Sequence, residues 1–249
     1  MSIDDEDDLI GMRAAGRVVH ETLEAMRAAV EAGASTADLD AVARRVMRER
    51  GARSAPRLVY DFPGETCISV NDEIVHGIPS ARRVLRDGDL VKLDVTTELN
   101  GYMADAAVTV AVGRASELAG RLLDGTRRTL EVALREVRPG RRAFEVGGVV
   151  EREARRQGFS VVRALQGHGI GRTIHEEPMM PNWADPAARG LLTDGLVITV
   201  EPILAAGSGD SFESEDGWTI LTADGSLSAH FEHTLVVTRT GPILLTAAA

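Results

Sequence analysis

Offset by 107 positions, the second half of the sequence repeats landmarks of the first. Thr22-Leu23-Glu24 returns as Thr129-Leu130-Glu131, Gly33 as Gly140, Gly51 as Gly158, and Asp87-Gly88 as Asp194-Gly195. Matches held in one register over this span mark an internal duplication, which limits the chain to folds built from two similar units. No Pro/Ser-rich linker or low-complexity tract separates the units, which run about 9–113 and 116–240. The expectation is a single domain over residues 1–249 in which both halves share one continuous sheet. Helices would pack outside it, and any site would lie near a pseudo-twofold axis.

Within the first unit, Met12, Ala15, Val19, Leu23, Met26 and Val30 recur at steps of three and four, the spacing of one apolar helical stripe, and Gly33 ends it. Ser35 and Asp38 form a capping pair for a second helix carrying Leu39, Val42 and Val46, which Gly51 stops. Phe62-Pro63-Gly64 marks a turn, and Cys67-Ile68-Ser69-Val70 reads as a short buried strand leading to a loop at His76-Gly77-Ile78-Pro79.

Two aspartates then fall on apolar strands. Asn100-Gly101 is a hairpin signal between Leu90–Val95 and Ala104–Val110. A turn centred on Leu99-Asn100 sets Asp94 directly opposite Asp105, whereas one centred on Asn100-Gly101 makes them diagonal neighbours on one face. In either register the carboxylates converge, and like charges in an apolar setting call for a shared proton, a basic partner or a metal ion. At the offset of 107, Asp94 lands on Glu201, the acidic residue closing the apolar run Leu196–Val200. A second hairpin, Trp218–Leu221 returning through Phe231–Val237, is expected to place Glu232 much as Asp105 is placed.

The densest chemistry lies between Gly167 and Pro178, where His168 and His175 flank a glycine-interrupted run. Glycines at 167, 169 and 171 favour a shaped loop over a regular strand or helix. Histidines seven apart, with Pro178 beyond them, exclude the helical i, i+4 zinc motif. The triplet His-Gly-Ile occurs at 76 and 168, but an offset of 92 takes it out of the repeat's register.

Composition narrows the function. A formal charge of −10 argues against nucleic acid as a substrate, and the single cysteine, Cys67, rules out an internal disulfide or a cysteine-rich zinc module. No apolar run is long enough to span a bilayer, and the acidic start Met1–Asp8 is unlike a signal peptide, so a cytoplasmic location without membrane contact is expected. Asp94, Asp105, His168, Glu201 and Glu232 together offer four carboxylates and one imidazole. Two divalent ions match that charge, and oxygen-rich ligands with one nitrogen suit cobalt, manganese, iron or zinc. Paired ions of this kind bring the pKa of water towards about 7 and polarise a carbonyl, which is hydrolase chemistry.

The long motifs Cys67–Asn71, His76–Pro79, Lys92–Thr96, Gly167–Pro178, Thr199–Pro202 and Ser228–Thr234 resemble those of type I methionine aminopeptidases, over nearly the whole chain. The resemblance implies the α+β pita-bread (creatinase/aminopeptidase) fold, with a pseudo-twofold repeat, a central antiparallel sheet and outer helices. It implies removal of N-terminal methionine from nascent proteins and peptides with a small second residue. It also implies a short bacterial form acting as a monomer, with the ribosome as a further partner. On this likeness Asp94 would bind the second of two metal ions, Asp105 and Glu232 would bridge, and His168 and Glu201 would bind the first. His76 and His175 would position the scissile peptide and stabilise the tetrahedral intermediate, Glu201 would help manage a proton, and Phe62, Cys67, Ile174 and Trp218 would form the methionine pocket. The chain departs from the family after Asp105, where Ala106-Ala107 stands in place of a common hydroxyl residue. The competing readings are an Xaa-Pro peptidase of the same fold and a metal-free binding module; only 93 residues before Asp94 weigh against the first, and five intact ligands against the second.

Overall fold

The computed structural model describes residues 1–248. Its first half runs α1 (Glu6–Ala28), α2 (Thr36–Glu49), β1 (Arg53–Ser54), α3 (Ala55–Tyr60), β2 (Cys67–Val70), β3 (Glu73–Val75), β4 (Leu90–Leu99) and β5 (Tyr102–Ala111). The second half opens with α4 (Glu117–Leu134), α5 (Ala143–Gln157), β6 (Ser160–Val161), β7 (Gln166–Gly169), β8 (Glu176–Pro181) and β9 (Val197–Val200). It closes with β10 (Ile203–Ala205), β11 (Ser211–Glu213), β12 (Ile220–Thr222), β13 (Ser228–His230), β14 (His233–Val236) and β15 (Ile243–Leu244).

The repeat survives in three dimensions at the level of single hydrogen bonds. The N–H of Gly33 donates to the carbonyl of Leu85, and the N–H of Gly140 to that of Leu192, each at 2.9 Å. Isolated bridges join Ser35 to Val84 and Arg142 to Leu191. Thr22 and Thr129 each return their hydroxyl to the carbonyl four residues back, at 2.7 and 2.8 Å. All these pairs differ by the offset read from the sequence.

The helices form where stripes and caps agree. Met12, Ala15, Val19, Leu23 and Met26 are buried along α1, whose acidic first turn suits the positive end of the helix dipole. In α2 the Asp38 N–H donates to Ser35 Oγ while the Ser35 N–H donates to the Asp38 carboxylate, the reciprocal capping box expected there, worth about 1 kcal/mol. Fully burying side chains such as Leu39 and Met47 contributes about 1.5–3 kcal/mol each.

Asn100 and Gly101 both adopt positive φ, at 52° and 83°, and close a two-residue hairpin between β4 and β5. The register pairs Asp94 with Ala107 and Asp105 with Thr96, so the turn centres on Asn100-Gly101 and the two aspartates are diagonal neighbours. The expected second hairpin does not form. β12 pairs with β3 and β11, whereas β14 pairs with β9 and β15. Alternation along a strand says which face is buried but not which strand is the partner, and here an excursion carrying β10 to β13 separates β9 from its mate. The pairing of β9 with β14 is thus the second half's counterpart of the β4–β5 hairpin.

The halves meet between β5 and β14, but the central antiparallel layer is not one unbroken ladder. One ladder holds β1, β4, β2 and β5; another runs β15-β14-β9-β7-β8. The Glu232 N–H donates to the Ala107 carbonyl at 2.9 Å. Thr234 Oγ1 accepts from the Asp105 N–H at 2.9 Å and donates to the Asp105 carbonyl at 2.7 Å. Together with Thr109 Oγ1, which bonds the main chain of His230 further along β5, these contacts close the seam. Buried apolar residues gather behind each half, around α1–α2 and around α4–α5, and Val108 packs against both groups. Among the described residues no helix is long and apolar enough to cross a membrane.

Candidate active site

The seam between the halves opens into a cavity of about 350 Å³, lined by every site residue read from the sequence. Asp94 comes from β4, Asp105 from β5, His168 from β7, Glu201 from the residue after β9, and Glu232 from the residue before β14. Because His233 pairs with Val200, Glu201 and Glu232 are the next residues outward on that ladder, and they face Asp105 across the seam. Duplicated strand pairs have brought carboxylates from both halves to one place.

The glycine run is only partly a loop. Gln166–Gly169 is a strand, contrary to the expectation, and Glu176–Pro181 is its partner. Gly167 and Gly169 do not have positive φ; Gly171 does. A Cβ on Gly169 would lie 2.2 Å from the Glu177 carbonyl oxygen, and one on Gly167 would lie 2.7 Å from that of Thr199. Close approach of neighbouring backbones, rather than a special turn, excludes side chains at these two positions. His168 sits between them with its N–H on Thr199 Oγ1 at 3.1 Å and its Nδ1 at 2.8 Å from the Gly169 carbonyl. A carbonyl only accepts, so Nδ1 carries the proton and the Nε2 lone pair is free for a metal ion.

Two sets of donors lie close enough to hold a cation. Ligand atoms of Asp105, His168 and Glu232 lie within 4.8 Å of one another, as do those of Glu201, His230 and Glu232. Glu232 belongs to both sets. Asp94 lines the same cavity but stands outside both.

Electrostatics favour a cation here. Burial drives the carboxyl of Asp94 well above the usual range, and the charges of Asp105 and Glu201 reinforce the shift. Glu232 is driven well up in the same way, by burial and then by Asp105, Glu201 and Asp94. Asp105 is raised by burial, with His168 and Thr96 opposing. Thr96 stands directly opposite Asp105, so a hydroxyl reaches that carboxylate from the facing strand although Ala106-Ala107 supplies none. Burial pushes Glu201 upward, but His230, His168 and His76 outweigh it and leave that carboxyl low. Asp105 Oδ1, Glu232 Oε1 and both ring nitrogens of His230 are buried without a hydrogen-bond partner. Orphaned carboxylate oxygens facing one space fit divalent ions well, and without them the repulsion would be uncompensated.

His76 and His175 stand at the cavity's exposed rim. His76 occupies a left-handed conformation at φ 58°, and desolvation lowers its pKa. The His175 ring lies 4.2 Å from that of His168, centroid to centroid, and its Nδ1 is 2.6 Å from the Tyr60 hydroxyl. Burial, with His168 nearby, lowers its pKa to about 4, so the ring is neutral at pH 7. The apolar wall consists of Phe62, Cys67 and Ile174, all buried, with Trp218 half-buried. Phe62 and Trp218 meet edge to face at 5.1 Å.

His230 and Tyr60 are among the cavity side chains that the sequence reading did not single out. His230 lies two residues before Glu232, so strand alternation was a usable signal for its facing the same way. Tyr60 closes a six-residue helix and reaches His175 across 115 positions, a contact that no local pattern announces.

Comparison with known proteins gives concordant results. Residues 10–239 match metallopeptidase family M24. The chain is 41% identical over 247 residues to methionine aminopeptidase 2 of Bacillus subtilis, covering 99% of both sequences, and 38% identical to methionine aminopeptidase of Aquifex aeolicus, covering 94% of both. Its structure superposes on the crystal structure of methionine aminopeptidase from Thermotoga maritima with a TM-score of 0.96 at 34% identity, over the full length of both chains. The prolidase of Pyrococcus furiosus has the same fold, with a TM-score of 0.80 at 21% identity over 65% of its own length.

Proposed function

The chain belongs to metallopeptidase family M24, and from that membership and the geometry of the cavity we propose that it is a methionyl aminopeptidase acting on proteins and peptides with a small second residue. The observation that carries the reading is the convergence of Asp105, His168, Glu201 and Glu232 from both halves on one buried space beside an apolar pocket. The family is one of metal-dependent enzymes, and the orphaned donors here fit two divalent ions, of cobalt, manganese, iron or zinc. Asp105, His168, Glu201, Glu232 and Asp94 would hold them. When bound, such ions acidify water and polarise the scissile carbonyl.

The protein's own residues supply the rest. Phe62, Cys67, Ile174 and Trp218 receive the unbranched methionine side chain. Sulfur against an aromatic ring adds only about 0.3–1.5 kcal/mol beyond burial, so the shape of the slot governs selection. In the tautomer whose Nδ1 accepts from the Tyr60 hydroxyl, neutral His175 carries its proton on Nε2 and presents an N–H donor at the rim, where negative charge develops on the carbonyl oxygen. His76, on the same cavity, acts to orient the peptide. Glu201 stays ionised beside three imidazoles and takes the proton released when water attacks, then returns it to the leaving amine.

Residues 1–249 act as a single catalytic domain, in the cytoplasm, as a monomer that meets emerging chains at the ribosome. The decisive test offers Met-Gly, Met-Ala and Xaa-Pro peptides to the purified protein reconstituted with each of the four metals. Methionine release from the first two is expected. Intact Met-Gly and Met-Ala across all metals would refute the proposal, and cleavage confined to Xaa-Pro bonds would replace it.

A further inference from the structure

Arg172 stands between His168 and His175 in the sequence yet does not line the cavity. Its guanidinium is engaged instead by the first half of the molecule. Nη2 lies 2.7 Å from Asp8 Oδ1 in the first turn of α1 and 3.0 Å from the Tyr102 hydroxyl at the start of β5, while Nη1 donates to the Gly101 carbonyl in the hairpin turn at 3.2 Å. The Tyr102 hydroxyl donates in turn to Asp8 Oδ1 at 2.9 Å, so the three side chains close a triangle. The guanidinium carbon also sits 3.9 Å from the centroid of the Tyr102 ring, in cation–π contact. That ring is seated on α1 at Gly11, where a Cβ would fall 2.2 Å from it. Glycine inside a helix costs about 1 kcal/mol relative to alanine, and the close approach of the ring accounts for it here.

The main chain beside Arg172 is held on both sides. The Gly171 carbonyl accepts from the Met103 N–H at 2.7 Å, and the N–H groups of Arg172 and Thr173 both donate to Glu176 Oε1, at 2.8 and 2.9 Å. Thr173 Oγ1 donates to the His175 carbonyl at 3.0 Å. We propose that Arg172 is a positioning residue for the reaction: by fastening this segment to α1 and to the tip of the β4–β5 hairpin, it sets where the His175 ring stands relative to Asp94 and Asp105, which the same hairpin carries. The role rests on the aminopeptidase reading above and adds to it a side chain outside the cavity. Misplacing a reacting group by about 1 Å costs up to about 100-fold in rate, so a fastening of this kind is felt in turnover. The planar fork matters as well as the charge. A lysine ammonium reaches Asp8 but cannot at the same time serve the Gly101 carbonyl and lie flat on the ring.

The test is a double-mutant cycle on full-length protein loaded with cobalt(II), with methionine release from Met-Ala-Ser as the rate measured. Arg172→Ala is expected to lower kcat by about 10–100-fold and Arg172→Lys by less, while cobalt affinity measured by calorimetry stays within about twofold of wild type. In a His175→Ala background the loss of Arg172 is expected to cost no more than about threefold further, because the group it positions has gone. Wild-type kcat in Arg172→Ala, an undiminished loss in the His175→Ala background, or a cobalt affinity that falls in step with kcat would each overturn the proposal. Should Arg172→Ala not fold, Asp8→Asn and Tyr102→Phe each remove one side of the triangle and take its place in the cycle, with the same coupling to His175 expected and its absence equally fatal. A wild type that releases no methionine with any of the four metals would instead refute the aminopeptidase reading itself, and this role with it.

Discussion

The Tyr60 hydroxyl lies 2.6 Å from His175 Nδ1, joining the end of a short helix in the first half to the rim histidine of the second. The contact fixes which nitrogen of His175 faces the cavity. A hydrogen bond of this kind is worth about 0.5–1.5 kcal/mol, so Tyr60→Phe is expected to lower kcat by about 2–12-fold with KM nearly unchanged. His175→Ala should cost about 100–1,000-fold, the range for losing an oxyanion donor. Steady-state kinetics on Met-Ala peptides checks both, and an unchanged kcat in Tyr60→Phe would remove the tyrosine from catalysis.

Glu232 is buried among Asp94, Asp105 and Glu201, where like charges oppose its ionisation. Glu232→Gln is therefore expected to abolish turnover, to lower metal uptake and yet to raise the melting temperature of the metal-free protein. One kilocalorie per mole of relieved repulsion corresponds to about 2–4 °C in a chain of this size. Thermal denaturation in excess chelator measures it, and a lower melting temperature than wild type would contradict the electrostatic account of the cluster.

Lys92 is the chain's only lysine and is buried at 1% exposure, its Nζ donating to the Asn71 carbonyl at 2.6 Å and to the carbonyl and hydroxyl of Ser228 at 3.2 and 3.1 Å. Burial brings its pKa down to about 7, well below that of an unfolded chain. Between those two values the unfolded state binds the extra proton, so stability rises with pH. The gain is at most about 1.4 kcal/mol per pH unit. Lys92→Met should lose that slope. Urea denaturation at pH 7 and pH 9.5 makes the comparison, and parallel behaviour of the two proteins would show that the ammonium is not destabilised by its surroundings.

Glu153 accepts from Arg156 at 2.8 and 2.6 Å, from Arg128 at 3.0 Å and from Gln157 at 2.8 Å. Chiefly through Arg156, its pKa falls to about 2. A depressed carboxyl stabilises the fold above its unfolded pKa, near 4.3, and the contribution disappears as pH falls towards 2. Both guanidiniums are more than half exposed, so solvent screening leaves about 1 kcal/mol. Glu153→Gln should be less stable than wild type by that amount at pH 7 and by markedly less at pH 3, as judged by urea midpoints.

The duplication made much of this fold legible in advance. Helix stripes, the capping box at Ser35 and Asp38, the strand Cys67–Val70 and the Asn-Gly turn are local patterns that formed where their spacing placed them, except that α1 ends at Ala28, short of Val30. The cavity residues were also readable, because a carboxylate set into an apolar stretch, as at Asp94, Asp105 and Glu232, is tolerated only beside a cation or with a proton to share. Strand partnership was not readable. The apolar run before Glu201 looks the same whether its mate follows at once or after an excursion, and β14 came to it only after β10 to β13 had paired elsewhere. The run at 166–169 misled for a different reason: its glycines answer to backbone neighbours well outside the local turn, at Glu177 and Thr199. Tyr60 is a long-range contact of the same sort.

The excursion between β9 and β14 separates two kinds of inheritance in one gene. Glu201 and Glu232 stand at its two feet, while its span holds Ile203 and Trp218 on the cavity wall and β12, which borders β3 next to His76. Substitution or lengthening between 205 and 225 can remodel what the cavity accepts while the strands carrying the acidic residues keep their register. A library diversified only in that segment would therefore sample side-chain preference in isolation, and the ancestral doubling would have left one of its two copies open to that experiment.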